Sequence, residues 1–320
     1  MPRKTIFDLQ YSLLNAGSMV PMPGGPRIPF TIVGTHNDDS IAGTRGHDVI
    51  GALGGEDSVD GGNGGDWIVG GRSNDYLDGG TGDDHLFGEE GDDYLWGGDG
   101  NDVMYGGIGN DGGTGWNGDD VIHGQAGDDH FGGSDGNDIV DGGDGHDDIE
   151  GGFGEDTLHG GAGNDILDDH LEFDGSGGHD WFYGGDGDDQ LFAAGVEHAL
   201  TMNAIDGGAG FDRLELVPLG NVISNLGLLA GQTKGIEAIG LSHCIETALI
   251  VNPQDVLDFS DESNTLYITG GHDSFFSPLS CQVDSAGSWT VGGIVQAFNN
   301  EFQHYEASVN GQQVDLYVDT

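Results

Sequence analysis

The chain has 320 residues and a formal net charge of −50, because 57 acidic residues are set against only 7 lysines and arginines. This charge excludes nucleic-acid binding as a default function and disfavours anionic membrane surfaces unless a cation bridges the two. Glycine contributes 65 residues, about three times its ordinary share, yet it does not recur at every third position and proline contributes only 8, which excludes collagen.

Residues 1–33 form an N-terminal segment that is too short to build a catalytic domain. Apolar residues between Ile6 and Leu14 predict a short amphipathic helix, and prolines between residues 21 and 29 then end regular structure. Two interpretations stay open, a cap over the first turn of the following domain or a loosely ordered tail. The segment lacks the apolar core of a cleavable signal peptide, and no apolar run is long enough for a transmembrane helix.

From Gly34 to Asp168 the chain divides into fifteen consecutive nine-residue units without insertion or deletion. Units from the middle read GGTGDDHLF, GEEGDDYLW and GGDGNDVMY, so the consensus is G-G-x-G-x-D-x-U-x, in which U is a large apolar residue. Only Gly113 breaks the apolar column at position eight. Three more units follow, at 175–183, 184–192 and 207–215.

The sixth position is aspartate in all eighteen units, which makes these side chains the candidate metal ligands. They are Asp39, Asp48, Asp57, Asp66, Asp75, Asp84, Asp93, Asp102, Asp111, Asp120, Asp129, Asp138, Asp147, Asp156, Asp165, Asp180, Asp189 and Asp212. Ca²⁺ is a hard cation that takes carboxylate and backbone carbonyl oxygens. Glycines allow a loop to adopt positive φ and turn its carbonyls inward, while the x-U-x triplet suits a short strand with U inward.

This pattern resembles the RTX (repeats-in-toxin) hemolysin-type calcium-binding nonapeptide repeat over about 160 residues. The resemblance implies an all-β protein, a parallel β-roll in which two nonamers make one turn and residues 18 apart stack. It also implies several Ca²⁺ ions bound between loops of neighbouring turns. One buried apolar side chain per nine residues offsets too little of the entropy cost of ordering them. We therefore expect a disordered calcium-free chain and folding coupled to calcium binding.

The sequence predicts three domains: the segment 1–33, the β-roll at 34–215, and a small mixed, mainly β cap at 216–320. Insertions at 169–174 and 193–206 are expected to leave the roll as loops, the second with a helix-like stretch.

Gly113 leaves a gap in the predicted core of the roll, because it replaces the large apolar residue that position eight otherwise holds. Trp116, which replaces a glycine in the next unit, is a candidate to fold over this gap.

In the cap, Asn252 and Pro253 indicate the start of a short helix. Strands are predicted at Thr265–Thr269 and Trp289–Val291, and Asn310-Gly311 predicts a hairpin. The order of these segments resembles the C-terminal region of secreted RTX proteins, which caps the roll and contains the export signal.

Catalytic motifs are not found in the sequence. Neither H-E-x-x-H nor G-x-S-x-G occurs, and the nearest string to the second, Gly240 to Cys244, ends in cysteine. Acidic pairs such as Asp83 and Asp84 recur at positions five and six, which indicates loop residues rather than a glycosidase dyad. The protein is therefore not expected to be an enzyme. Cys244 and Cys281 could form one disulfide or remain two thiols.

The expected function is that of a secreted, extracellular calcium-binding module without catalysis, exported from a Gram-negative cell by the type I route that the resemblance implies. Expected partners are calcium, the type I secretion channel and an extracellular protein or polysaccharide, with no nucleic acid. One alternative is an accessory module of a secreted enzyme. Another is an ice-binding or adhesin-type protein, although position three lacks the regular threonine ladder of ice-binding rolls.

The outward positions of one predicted sheet are more apolar than those of the other. Phe87 and Tyr105 are 18 residues apart and are expected to stack on this sheet. Such a stripe is either a docking site or a ladder of cross-strand contacts that supports the sheet.

Overall fold

The computed structural model describes the chain as β-strands and their connections. The described residues are 19–20, 28–168, 179–193, 199, 202–216, 223–225, 233–241, 248–251, 265–270, 282–285, 290–297, 300–309 and 312–319. The chain divides into two compact units, Met1–Ile139 and Val140–Thr320. In the described part, no helix is long and apolar enough to cross a membrane.

The first unit is built from short strands that recur with the nonamer period. They are β1 (Met19–Val20), β2 (Ile28–Pro29), β3 (Ile32–Val33), β4 (Ser40–Ala42), β5 (Val49–Gly51), β6 (Ser58–Asp60), β7 (Trp67–Arg72), β8 (Tyr76–Thr81), β9 (His85–Glu90), β10 (Tyr94–Asp99), β11 (Val103–Ile108), β12 (Gly112–Asn117), β13 (Val121–Ala126) and β14 (His130–Asp135). From β7 to β14 each strand has six residues instead of the three predicted, because pairing continues through the glycines that open the next unit.

Alternate strands pair in parallel and form two sheets. Strands β4, β6, β8, β10, β12 and β14 lie in one sheet, and β3, β5, β7, β9, β11 and β13 lie in the other. Leu95 lies opposite Leu77, and Met104 lies opposite Leu86, each pair 18 residues apart. This register confirms the parallel β-roll with two nonamers per turn.

The core of this unit is the column of position-eight side chains between the sheets. Its members from the second repeat onward are at most 1% exposed: Ile50, Val59, Ile68, Leu77, Leu86, Leu95, Met104, Ile122 and Phe131. Gly113 lies between Leu95 and Phe131 in register. The aromatic ring of Phe131 is therefore next to the gap that Gly113 leaves in the core.

The prediction that Trp116 folds over this gap is wrong. Trp116 packs against Trp96 at 5.6 Å between ring centroids and is 39% exposed. It occupies the second position of its unit, where its φ of +86° lies in the left-handed region.

The N-terminal segment contacts the first turn through Phe30. A Cβ built on Gly51 would lie 2.6 Å from the Phe30 ring, so only glycine leaves room for that ring. Pro29, one of the prolines predicted to end regular structure, lies opposite Met19 in a short antiparallel pair.

The second unit begins with the same kind of short repeat strands and ends with strands of irregular length. They are β15 (Ile139–Asp144), β16 (Asp148–Phe153), β17 (Thr157–Ala162), β18 (Ile166–Asp168), β19 (Trp181–Asp186), β20 (Gln190–Ala193), β21 (Ala204–Ala209), β22 (Arg213–Leu216), β23 (Ile223–Asn225), β24 (Thr233–Lys234), β25 (Ala238–Leu241), β26 (Ala248–Val251), β27 (Thr265–Gly270), β28 (Gln282–Ser285), β29 (Thr290–Ala297), β30 (Asn300–Val309) and β31 (Gln312–Asp319). Parallel pairing runs from β16 through β18, β20, β22, β25 and β27 to β31. Parallel pairing of strands thus extends beyond residue 215, where the predicted β-roll ends.

The second insertion is shorter than predicted. Ala193 still belongs to β20 and Ala204 already begins β21. Ile205 lies opposite Phe182, 23 residues earlier, and it is fully buried in the core. The loop predicted over 193–206 is therefore too long at both ends, because residues 204–206 form an x-U-x strand.

The C-terminal strands agree with several predictions. Strand β27 confirms the strand at Thr265–Thr269, and β29 overlaps the one predicted at 289–291. Strands β30 and β31 pair antiparallel with Val309 opposite Gln312, which confirms the hairpin. The helix predicted from Asn252 lies outside the described residues.

Cys244 and Cys281 both lie outside the described residues.

Candidate metal sites

The aspartates at position six form a hydrogen-bonded ladder along each stack of loops, which we call the aspartate ladder. The backbone N–H of Asp75 donates to Oδ1 of Asp93 at 2.7 Å, and the N–H of Asp93 donates to Oδ1 of Asp111 at 2.8 Å. From Asp48 to Asp212 every member is at most 7% exposed. The fold thus turns one carboxylate per loop inward and fixes it by its first oxygen.

The second carboxylate oxygen, Oδ2, is buried and has no hydrogen-bond partner at many of these positions. They are Asp57, Asp66, Asp75, Asp84, Asp93, Asp102, Asp111, Asp120, Asp165, Asp189 and Asp212. A buried oxygen of a carboxylate without a partner is strongly destabilising. Its recurrence at the same atom in successive turns indicates a site built for a cation.

A backbone carbonyl from the next turn lies beside several of these oxygens. A Cβ built on Gly79 would lie 2.7 Å from Oδ2 of Asp84 and 2.5 Å from the carbonyl oxygen of Gly97. The corresponding Cβ on Gly97 would lie 2.5 Å from Oδ2 of Asp102 and 2.7 Å from the Gly115 carbonyl. Only glycine leaves this space open. Carboxylate and carbonyl oxygens from two turns are the donor set that Ca²⁺ takes.

Side chains alone do not form the site. Among the described residues, no group of three or more His, Cys, Asp or Glu side chains is placed to hold a metal ion. The ladder aspartates and the carbonyls of the position-one glycines would hold calcium together, and the ion would supply positive charge to the buried oxygens.

The first two loops differ from the rest. Oδ2 of Asp39 accepts hydrogen bonds from the N–H of Thr35 at 2.6 Å and from its hydroxyl at 2.9 Å. Thr44 donates in the same way to Oδ2 of Asp48, at 2.7 and 2.8 Å. Threonine replaces the second glycine in both units. In these two loops the backbone and hydroxyl of threonine already donate hydrogen bonds to Oδ2, the oxygen that has no partner in many later loops.

Position five forms a second ladder, which runs in the opposite direction. The side-chain oxygen of Asp83 accepts the N–H of Asn101 at 3.0 Å, Asn101 accepts that of Asp119, and Asp119 accepts that of Asn137. These residues are exposed and alternate between acidic and neutral. Side chains at position five therefore link neighbouring loops on the solvent-exposed side. The alternation of acidic and neutral residues limits repulsion between like charges one turn apart.

Sequence reasoning missed Glu237. The N–H of Asp212 donates to its Oε2 at 3.0 Å, so Glu237 continues the aspartate ladder. The spacing of 25 residues conceals it, because the regular spacing is 18. The parallel pairing of Leu214 with Ile239 is the signal that identifies it.

The aromatic residues of one sheet form a stacked row. Phe87 and Tyr105 stack at 5.2 Å with 6° between ring planes, which confirms the predicted contact. Trp67 stacks on His85 at 4.1 Å, and Tyr105 on His123 at 5.0 Å. These rings largely cover one another, since none of them is among the exposed large apolar residues.

Burial changes the acidity of the ladder carboxyls. Desolvation raises the pKa of Asp75, Asp84 and Asp93 to about 7, against the opposing effect of the backbone hydrogen bond that each accepts. Neighbouring ladder aspartates raise these pKa values further. Deprotonated carboxylates therefore need a cation at neutral pH.

Acidification is expected to favour the calcium-free fold. A carboxyl whose pKa is higher in the folded than in the unfolded chain stabilises the fold fully below its unfolded pKa of about 4, and this contribution is lost as pH rises through about 7. In chelator, circular dichroism should show more β-structure at about pH 5 than at about pH 8. In calcium the trend should reverse, because protons compete for the ligand oxygens. Identical calcium-free spectra at both pH values would contradict this prediction.

The two parallel sheets and the repeated carboxylate loops define a calcium-binding β-roll. Comparison with protein families matches the RTX calcium-binding nonapeptide repeat at 33–68, 51–86, 60–95, 78–112, 114–140, 141–168 and 172–195. The array at 33–195 thus belongs to the RTX calcium-binding nonapeptide repeat family. Comparison with curated proteins gave no match.

Proposed function

We propose that this chain is a secreted protein that stays unfolded where calcium is scarce, folds on binding calcium outside the cell, and acts there as a non-catalytic binding or structural module. The observation that supports it best is the recurrent unpartnered Oδ2 of the aspartate ladder. The net charge of −50 opposes compaction until cations bind. Calcium in the extracellular range of about 10⁻⁴–10⁻³ M would then act as the folding signal.

An extracellular protein or polysaccharide is the proposed partner. Immobilised protein should capture it from culture supernatant when calcium is present and release it in chelator. The matched control is the Asp93→Ala variant, in which folding of the array is impaired at the same calcium concentration. Equal capture with and without calcium would contradict a role for the folded roll, and turnover of a substrate by the purified chain would contradict the absence of catalysis.

Deletion of residues 305–320 is expected to retain the protein inside the cell. The support is the resemblance of this region to the export signal of secreted RTX proteins. The deletion also removes β31, which pairs with β27, so a folding defect must be separated from a lost signal. Leu316 is fully buried, and Leu316→Asp disturbs the same strand while keeping the segment.

Export is then measured as the ratio of extracellular to intracellular protein for the parent and both variants. We expect the truncation to be retained and Leu316→Asp to be exported, because type I export passes unfolded chains. Normal export of the truncated chain would exclude a signal in this segment.

A further inference from the structure

The aspartate ladder does not end with the last repeat. Asp189 donates its N–H to Oδ1 of Asp212 at 2.9 Å, and Asp212 donates its own N–H to Oε2 of Glu237 at 3.0 Å. Glu237 is 6% exposed. It directly precedes β25, as each ladder aspartate directly precedes its strand. Glu237 thus occupies the ladder position one turn beyond the last nonamer.

The space next to Asp212 has the same construction as the repeat sites. Oδ2 of Asp212 is buried and has no hydrogen-bond partner, and the residue is 0% exposed. A Cβ built on Gly207 would meet both this oxygen and the carbonyl oxygen of Gly235. Gly235 has a φ of +60°, a left-handed conformation that favours glycine. A carboxylate oxygen and a next-turn carbonyl therefore converge here as they do beside Gly79.

Two basic side chains that neighbour Asp212 and Gly235 in sequence are paired with other acids. Arg213 pairs with Glu215, and Lys234 pairs with Asp206. The charged groups that act on Asp212 are all negative, because they are the side chains of Asp189, Glu237 and Asp188. A cation at this position would offset both the burial and the repulsion.

We infer that Asp212 of the last nonapeptide repeat forms a further calcium site at the end of the roll together with two groups beyond the repeats, the carbonyl of Gly235 and the carboxylate of Glu237. The next residue in the same ladder position is Leu266, since Ile239 pairs with Ile268, and its buried side chain offers no oxygen. The site is therefore the last of its column. It fixes β25, and with it β27, to the repeats, so calcium also orders the start of the C-terminal region.

This inference rests on the calcium-coupled folding of the proposed function, and one set of variants tests it. Glu237→Gln keeps an oxygen that can accept the Asp212 N–H but removes the negative charge. Glu237→Asp restores the carboxylate found elsewhere in the ladder. Glu215→Gln is the matched control, because Glu215 is equally buried but pairs with Arg213.

Two readouts are measured on the full chain: calcium ions bound per chain by calorimetry, and hydrogen exchange of the β25 and β27 amides in saturating calcium. We expect Glu237→Gln to lose one ion, or to bind one ion about tenfold more weakly, with faster exchange in β25 and β27 and unchanged exchange in β8 and β10. Glu237→Asp and Glu215→Gln should retain the parental ion count.

Parental stoichiometry and affinity in Glu237→Gln would overturn the inference, while a calcium-induced fold in the parent would leave the proposed function intact. An ion lost equally from Glu215→Gln would also overturn it, because general loosening of the region would then explain the effect. A parent chain that binds no calcium would overturn both.

Discussion

Asp93→Ala is expected to raise the calcium concentration needed to fold the array about tenfold, whereas Asp39→Ala should leave it nearly unchanged. Asp93 accepts the N–H of Asp75 and presents a second, unpartnered oxygen to the candidate site. Its replacement therefore leaves a buried donor unsatisfied, which costs about 1–3 kcal/mol, and removes a ligand from the loops on both sides.

Asp39 lies at the start of its column, and its second oxygen already accepts two bonds from Thr35. Nearest-neighbour coupling in a repeat array confines the effect of such a terminal change to one side.

The midpoint of calcium-induced folding, followed by circular dichroism, measures both effects. Asp93→Asn is the matched control, because its amide oxygen can still accept the Asp75 N–H while the charge is lost. We expect it to fall between the parent and Asp93→Ala. Equal midpoint shifts for Asp39→Ala and Asp93→Ala would show that the turns are not coupled through their neighbours and that the threonine contacts have no protective role.

The regular part of the fold could be predicted from sequence because its period is constant. Leu77 and Leu95 are two units apart and pair as expected, and the position-eight column supplies the core. Eighteen aspartates at one position identified the side chains that the loops turn inward. A repeat fixes both spacing and side-chain direction, so a small set of rules accounts for many contacts.

The irregular parts could not be predicted, because insertions change the register by unequal amounts. Asp165 pairs with Asp189 over 24 residues, Asp189 with Asp212 over 23, and Asp212 with Glu237 over 25. A search for aspartates at a fixed spacing of 18 residues therefore does not find Glu237.

The directions of the side chains at position two were not predicted, for a different reason. Thr35 bonds to Asp39 within its own loop, but Trp116 packs outward against Trp96. The sequence shows only that a glycine is absent, whereas the direction of the new side chain depends on the loop backbone and on its neighbours in the stack.

Removal of calcium is expected to have the largest effect of all, because the buried ladder carboxylates lose their cation at every turn while the charge of −50 remains. Circular dichroism of the full chain, titrated with calcium from chelator, tests this most directly. Magnesium at equal concentration is the control for charge screening, since it gives up its water reluctantly and needs a smaller octahedral site. We predict a disordered spectrum in chelator and in magnesium, and a cooperative change to β-structure at about 10⁻⁴–10⁻³ M calcium. A spectrum in chelator at neutral pH that already matches the calcium form would contradict calcium-coupled folding.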